Sequence, residues 1–181
     1  KLLGEKTFLW SSPNVSRLSS VYDFKLYNHM LLAGVEHIYE SYSSSNIFSP
    51  DQDILIESIF GYDTTKSMSE TSTFLLDNFK YSDIEFTAGA RFNYHSHHKF
   101  KISPSFSIMK PSQVYTYRFN YSQNYRTPSI KELYYNYENH GGGFPISGNE
   151  NLIPSTSNYY SFSLESRKHT NNSIELYYND V

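Results

Sequence analysis

The sequence predicts an all-β fold, an antiparallel up-and-down meander of about eight strands, and three observations support that class. Apolar and polar residues alternate with a period of two along several stretches, as in strands with one face in water. Several stretches run for about 10 to 13 residues, longer than the usual globular strand of about 5 to 6. Turn signals and long loops separate the stretches.

The alternation is complete in the middle of the chain and weaker at both ends. From Glu85 to His95, for example, apolar residues from Phe86 to Tyr94 share one face and the residues between them share the other. The two following stretches repeat this split, and the remaining five are weaker copies. In chain order, the predicted strands are Val21 to Tyr27, Leu31 to Tyr42, Thr71 to Lys80, Glu85 to His95, Lys99 to Ile108, Tyr115 to Ser122, Tyr159 to Glu165 and Ser173 to Asn179.

The predicted connections alternate in length. Tight turns are expected at one end of the meander and mostly long loops at the other, although two further links, His95 to Lys99 and Thr170 to Asn172, are short. The tight turns are Asn28-His29, Ser82-Asp83 and Pro111-Ser112, and the long loops are Ser43 to Glu70 and Arg126 to Ser157.

Composition excludes several classes of function. The net charge of −3 comes with both signs interspersed and no basic patch, so no nucleic-acid partner is expected. The chain has no cysteine, which rules out disulfides and thiolate metal sites within it. No nucleophile-plus-base arrangement, phosphate loop or zinc-helix motif occurs, so no enzymatic activity is predicted.

A meander with unequal ends can be a soluble barrel, a sandwich or an outer-membrane barrel. Aromatic residues make up 18% of the chain, and Tyr94, Tyr115 and Tyr121 lie near strand ends, as in the aromatic girdles of membrane barrels. The strand lengths also suit a tilted spanning strand of about 9 to 11 residues. Aromatic placement and strand length favour the membrane barrel, but they do not exclude the soluble barrel or the sandwich.

Two motifs carry a resemblance to a known family. The stretches YRTPSIKELYY and GNENLIPSTS resemble the boxes F-R-A-P-S-x-x-E-L-Y and G-N-P-N-L-x-P-E-x-S of TonB-dependent outer-membrane receptors, in the same order and at a compatible separation. The departures are Tyr125, Thr127, Glu150 and Ser155. The matching residues are Arg126, Pro128, Ser129, Glu132, Leu133 and Tyr134 in the first box, and Gly148, Asn149, Asn151, Leu152, Pro154 and Ser157 in the second.

Weaker similarities extend the resemblance from about Arg17 to Val181. Gly34 and Glu36 resemble a Gly and Glu pair on an ascending strand of the family, and Gly89 and Arg91 resemble a later Gly-x-Arg strand. The closest similarity is to cobalamin- or haem-type receptors of Bacteroidetes.

The resemblance implies that residues 1–181 are an internal fragment of a transmembrane β-barrel in the bacterial outer membrane, with the plug domain absent. The implied function is TonB-coupled import of a scarce nutrient, namely haem, cobalamin or a ferric siderophore, with TonB acting through the plug. Outer-membrane lipid would contact the apolar face. The alternative is a soluble antiparallel β-sandwich or barrel that binds a ligand or partner.

The first box has a physical interpretation as the point where a strand ends. Pro128 disfavours continuation of the ladder, and Ser129 with Glu132 three residues later predicts a short capped helical turn up to Tyr134. Gly148-Asn149 is expected to be a turn that needs positive φ.

Several side chains are candidates for ligand or metal binding. Tyr134, Tyr135 and Tyr137 could stack on a planar corrin, porphyrin or catecholate. By resemblance to haem receptors, His140 is a hypothetical axial ligand of haem iron. Two other groups are weaker hypotheses, and no metal site is assigned to either: His95, His97 and His98, interpreted as a solvated strand end, and Asp51, Asp53 and Glu57, a possible calcium loop.

Overall fold

The computed structural model describes residues 11–44, 47, 64–137, 146–166 and 172–180. These residues form ten strands and one short helix. The elements in chain order are β1 (Ser11–Leu26), β2 (His29–Ser44), β3 (Thr64–Tyr81), β4 (Ile84–His95), β5 (Lys99–Pro111), β6 (Tyr115–Arg126), α1 (Ile130–Tyr134), β7 (Asn136–Tyr137), β8 (Ile146–Ser147), β9 (Ser155–Ser166) and β10 (Asn172–Asp180).

The predicted antiparallel meander is confirmed. Eight strands form one sheet in the order β1-β2-β3-β4-β5-β6-β9-β10, so each strand lies beside its neighbour in the chain apart from the short β7 and β8. The registered pairs from β3 to β10 are all antiparallel. β7 and β8 form a separate two-stranded ribbon. No α-helix within the described residues is long and apolar enough to cross a membrane.

The strand ends differ from the predicted ones mainly at the start of β1 and β3. β1 begins at Ser11 rather than Val21, and β3 begins at Thr64 rather than Thr71. Both added segments are mostly polar on both faces, so they carry little alternation. The first tight turn is centred on Tyr27-Asn28, one residue earlier than predicted, and Tyr27 has a φ of 54°.

By its internal contacts, the chain divides into two compact units. We name them the loop unit, which comprises Lys1–Ser16, Ile38–Ser69 and Pro128–Ile153, and the strand unit, which comprises Arg17–His37, Glu70–Thr127 and Pro154–Val181.

The strand unit exposes its apolar side chains. Cross-strand register aligns one apolar residue from each of six successive strands, and several of these side chains are well exposed, Phe162 at 46% for example. Beside this apolar row, the rings of Tyr121, Tyr160 and Tyr178 follow one another with centroids 5.1 and 6.4 Å apart. The apolar row consists of Phe79, Phe86, Ile108, Phe119, Phe162 and Leu176.

The opposite face of the strand unit buries polar side chains. Every described side chain of this unit that is buried is polar, whereas the buried hydrophobic side chains all belong to the loop unit. A water-soluble sandwich has the reverse arrangement, with alternate apolar residues packed inside. The buried polar residues are Ser72, Asn93, His95, Thr116, Ser161 and Ser163.

Candidate functional site

The first sequence motif forms the predicted capped helix. The Ser129 hydroxyl accepts a hydrogen bond from the Glu132 backbone N–H at 3.3 Å, and the Glu132 carboxylate accepts one from the Ser129 N–H at 2.8 Å. These reciprocal bonds satisfy two N–H groups that a helix start would otherwise leave unpaired. The helix begins at Ile130, two residues after Pro128, so the motif fixes both the end of β6 and the start of α1.

One face of α1 packs into a small hydrophobic core within the loop unit. Ile130 is 4% exposed and Leu133 is 1% exposed. They pack with Tyr42, Ile47 and Met68, all nearly buried. This core holds the helix, and with it the tyrosines that follow Leu133 in the chain, in a defined place.

Backbone hydrogen bonds join the second motif to the first. The Asn149 N–H donates to the Glu132 carbonyl at 2.9 Å, and the Gly148 N–H donates to the Tyr135 carbonyl at 2.5 Å. We call these two bonds the motif clasp. Directly beyond it, β7 pairs with β8, with Asn136 opposite Ser147. The clasp therefore closes the base of the segment between the two motifs.

Gly148 is required for a different reason than the sequence suggested. The predicted positive φ at Gly148-Asn149 is wrong, because neither residue adopts a left-handed conformation. Instead, a Cβ atom at position 148 would lie 2.8 Å from the carbonyl carbon and oxygen of Leu133. Backbone atoms cannot move aside as a flexible side chain can, so the clasp needs a residue without a side chain.

Two cavities flank the motif clasp. The larger, of about 610 Å³, is lined by Lys131 and Tyr135 from the first motif and by Ile146 and Leu152 from the second. The smaller, of about 360 Å³, is lined by Tyr134 and by the polar residues Asn136, Ser147, Glu150 and Asn151, among others. The larger cavity combines apolar and aromatic walls with an ammonium group, a common composition for binding sites.

Burial and two charged neighbours set the environment of Tyr134. The Lys66 ammonium lies 4.8 Å from the centre of the Tyr134 ring, a cation–π distance. Burial and, to a smaller extent, the Glu150 carboxylate raise the pKa of Tyr134 above its ordinary value of 10.0. Tyr134 is therefore a neutral phenol at physiological pH. Lys131 lies in the same way over the Tyr42 ring, at 4.9 Å.

The structure brings together only some of the candidate ligand residues. Tyr134 and Tyr135 both line cavities, as do Gly148, Asn149 and Leu152 of the second motif. The backbone of Tyr137 belongs to β7. Four other candidates, His140, Asp51, Asp53 and Glu57, lie outside the described residues.

Sequence reasoning missed Lys131 and Ile146, which line the larger cavity, and Lys66, which lies over the Tyr134 ring. Lys131 occupies a variable position within the first motif, so the motif did not single it out. Lys66 and Ile146 gave no signal, because neither belongs to a motif or to a predicted strand.

A polar network crosses four strands of the strand unit. Arg91 on β4 contacts the Glu36 carboxylate on β2 at 2.5 Å and the Ser72 hydroxyl on β3 at 2.6 Å. The other carboxylate oxygen of Glu36 lies 3.3 Å from Arg17 on β1, and Arg91 also donates to Asn93 at 3.1 Å. Glu36 and Arg91 were both singled out by the family resemblance. Across the described part of the chain, no three His, Asp or Glu side chains are arranged to hold a metal ion.

Comparison with known proteins gives a family match and several structural matches. A family model described as TonB dependent receptor-like, beta-barrel matches residues 6–181. No curated protein matches the chain.

Three solved structures illustrate the structural similarity. A mutant of the ferric enterobactin receptor PfeA from Pseudomonas aeruginosa is 18% identical, with a TM-score of 0.78 over 94% of this chain and 27% of that one. The siderophore receptor PirA from the same organism is 20% identical, with a TM-score of 0.79 over 95% and 33%. The siderophore receptor PirA from Acinetobacter baumannii is 20% identical, with a TM-score of 0.73 over 99% and 28%. The chain thus spans about a third or less of these structures.

Proposed function

The chain belongs to the TonB-dependent receptor-like β-barrel family, and from this premise we propose that it forms part of a receptor that imports a scarce, large nutrient with TonB-coupled energy. The barrels of this family lie in the bacterial outer membrane, which is the location of this chain. The proposed role is transport rather than catalysis.

The observation that carries the proposal is the inverted arrangement of the strand unit. Its buried described side chains are all polar, while the aromatic and aliphatic residues of the apolar row face outward. Outward apolar faces suit contact with lipid tails, and a polar opposite face suits a wet or plugged barrel interior. The same arrangement disfavours the soluble sandwich, which would have to bury the apolar face.

We propose a ferric siderophore as the first nutrient to test, ahead of haem and cobalamin. The three solved structures described above are a ferric enterobactin receptor and two siderophore receptors. The larger cavity also offers the Tyr135 ring for stacking and the Lys131 ammonium for an anionic group such as a catecholate. Tyr134, Tyr137 and His140 remain candidate contacts, His140 as a ligand of haem iron if haem is the nutrient.

The other proposed partners follow from the family. The chain would be an internal block of a longer barrel, and TonB would act through a plug segment outside residues 1–181. Outer-membrane lipid would cover the apolar row.

The test is a binding titration with the whole protein that contains this chain, purified in detergent. Ferric catecholate siderophore, haem and cobalamin are titrated separately while intrinsic fluorescence is followed. We expect saturable binding of the siderophore, weakened about tenfold or more by Tyr135→Ala. Tyr81→Ala is the matched control, because Tyr81 is 75% exposed and belongs to the strand unit. Binding of none of the three ligands, or equal effects of both variants, would contradict the proposal.

A further inference from the structure

The short link between β4 and β5 gathers three imidazole rings. His95 is the last residue of β4, and His97 and His98 belong to the turn before β5 begins at Lys99. The His98 ring centre is 5.1 Å from that of His95 and 4.7 Å from that of His97. His95 is 3% exposed, while the His97 side chain is exposed.

Hydrogen bonding assigns His95 a structural role in this turn. Its Nδ1 atom lies 3.2 Å from the His97 backbone N–H and 3.3 Å from that of His98, and therefore accepts both bonds. The His95 ring must then be the tautomer that carries its proton on Nε2. The His95 and His98 rings are also nearly parallel, with an angle of 24° between them, so their in-plane lone pairs do not converge.

The pair His97 and His98 has the spacing of two ligands on one ion. Two imidazoles bound to one metal at about 2.0 to 2.1 Å hold their ring centres about 4.5 to 5.2 Å apart. The observed centres are 4.7 Å apart, and the rings meet edge to face at 87°. The Nε2 atom of His98 is buried and has no hydrogen-bond partner in the part of the chain that the structure describes. A bound cation would satisfy a buried ring nitrogen of this kind beside a second imidazole.

We propose that this turn binds one divalent transition-metal ion, such as Cu²⁺, Zn²⁺ or Ni²⁺, through the imidazoles of His97 and His98, with solvent in the remaining positions. Imidazole nitrogen is a preferred ligand for these ions. His95 acts as a positioning residue, because its ring folds the turn that presents the two ligands. Its residues line neither cavity of the loop unit, and the proposal does not depend on which nutrient is transported.

The experiment uses Cu²⁺ as the probe, since it binds most tightly in the divalent series and its electron paramagnetic resonance spectrum reports nitrogen ligands. The whole protein in detergent, with any purification tag removed, is titrated with Cu²⁺. We expect one high-affinity Cu²⁺ site, with a spectrum that shows two imidazole nitrogen ligands. His97→Asn and His98→Asn should each weaken binding about tenfold or more.

Two further variants separate ligation from folding. His37→Asn is the matched control, because His37 lies on β2 and contacts Thr71. It should bind Cu²⁺ as the parent does. His95→Asn keeps a side-chain oxygen able to accept the same backbone N–H groups, so it should bind within about threefold of the parent. Unchanged affinity in both ligand variants, a single-nitrogen spectrum, or loss of binding in His95→Asn would overturn the two-imidazole site.

Discussion

Glu36 on β2 and Arg91 on β4 form an ion pair that spans the whole width of β3, which lies between them in the sheet. The pair can form because β3 presents Ser72 at that place, a side chain short enough to lie under the guanidinium and to accept a hydrogen bond from it. A long residue at position 72 would separate the two charges. The pair therefore links three strands rather than two.

The first prediction concerns the strength of this pair. Glu36 and Arg91 side chains are 18% and 39% exposed, so their coupling should lie between that of surface and buried pairs. Glu36→Ala and Arg91→Ala should each lower the free energy of unfolding by about 1 to 3 kcal/mol. The double variant should lose about 1 kcal/mol less unfolding free energy than the sum of the two single losses. Equilibrium urea unfolding in micelles measures all three, and strict additivity would argue against a direct interaction.

A second prediction compares two glycines of the strand unit. A Cβ atom at Gly89 would lie 2.8 Å from the Leu75 carbonyl oxygen, which belongs to the backbone, whereas one at Gly34 would lie 2.5 Å from the tip of the Phe74 ring. The ring can rotate and the carbonyl cannot. Gly89→Ala should therefore be the more destabilising variant, within the range of about 1 to 3 kcal/mol typical of overpacking. Adding Phe74→Leu should recover part of the stability lost in Gly34→Ala, because the Ser20 carbonyl oxygen also lies close, at 3.0 Å. The same addition should leave Gly89→Ala unchanged in the same unfolding assay.

A third prediction tests the motif clasp. Gly148→Ala places a methyl group against the Leu133 carbonyl and should break the bonds from Gly148 and Asn149 to the first motif. We expect faster proteolytic cleavage between Tyr137 and Ile146, with little change in the stability of the strand unit. Ser147→Ala, at an exposed neighbour, is the control and should resemble the parent. Equal protection of both variants would show that the clasp does not control access to this segment.

A fourth prediction follows from the raised pKa of Tyr134. In the unfolded chain this phenol ionises at its ordinary value of 10.0, and in the folded protein it ionises only at higher pH. Between the two values the unfolded state binds fewer protons, so the stability is fully present below the ordinary tyrosine pKa and falls as the pH rises above it. Tyr134→Phe should weaken this alkaline loss, and Glu150→Gln should move the pKa of Tyr134 downward in an ultraviolet titration. An unchanged titration in Glu150→Gln would contradict the role of that carboxylate.

A fifth prediction tests lipid contact at the outward face. Phe106 lies in the middle of β5 and is 37% exposed on the same face as the apolar row. Phe106→Arg should cost about 2 to 4 kcal/mol in a lipid bilayer, the expected penalty for a charge near the bilayer centre. Ser105→Arg places the same charge one residue earlier on the opposite face and should cost less. Similar losses for both variants in bilayer unfolding measurements would indicate that Phe106 does not face lipid.

The central strands could be predicted because each of their faces meets a different environment. β4 begins one residue before the predicted Glu85 and ends at the predicted His95, since its alternation is unbroken. The first part of β3, Thr64 to Glu70, could not be predicted, because both of its faces are largely polar and backbone pairing alone extends the strand. The alternation of apolar and polar residues shows which environment each face of a strand meets. It does not show where the backbone hydrogen bonds of the strand end.

The site could be predicted only in part for a related reason. The capping box is local, so Ser129 and Glu132 were sufficient to predict α1. The contact of Gly148 with the Leu133 backbone joins residues fifteen positions apart in the sequence and depends on how the loop unit packs. The ion pair of Glu36 and Arg91 likewise depends on strand order, which motifs alone do not give.

The motif clasp allows the sequence between the two motifs to change without a change in the fold. Its two hydrogen bonds and the pairing of β7 with β8 use backbone atoms, so they place no demand on the side chains of residues 138–145. Mutation can rewrite this cassette without disturbing the barrel strands on either side. Relatives that share the same backbone frame can thus vary the sequence between the two motifs, and an engineer can graft a foreign peptide at the same place.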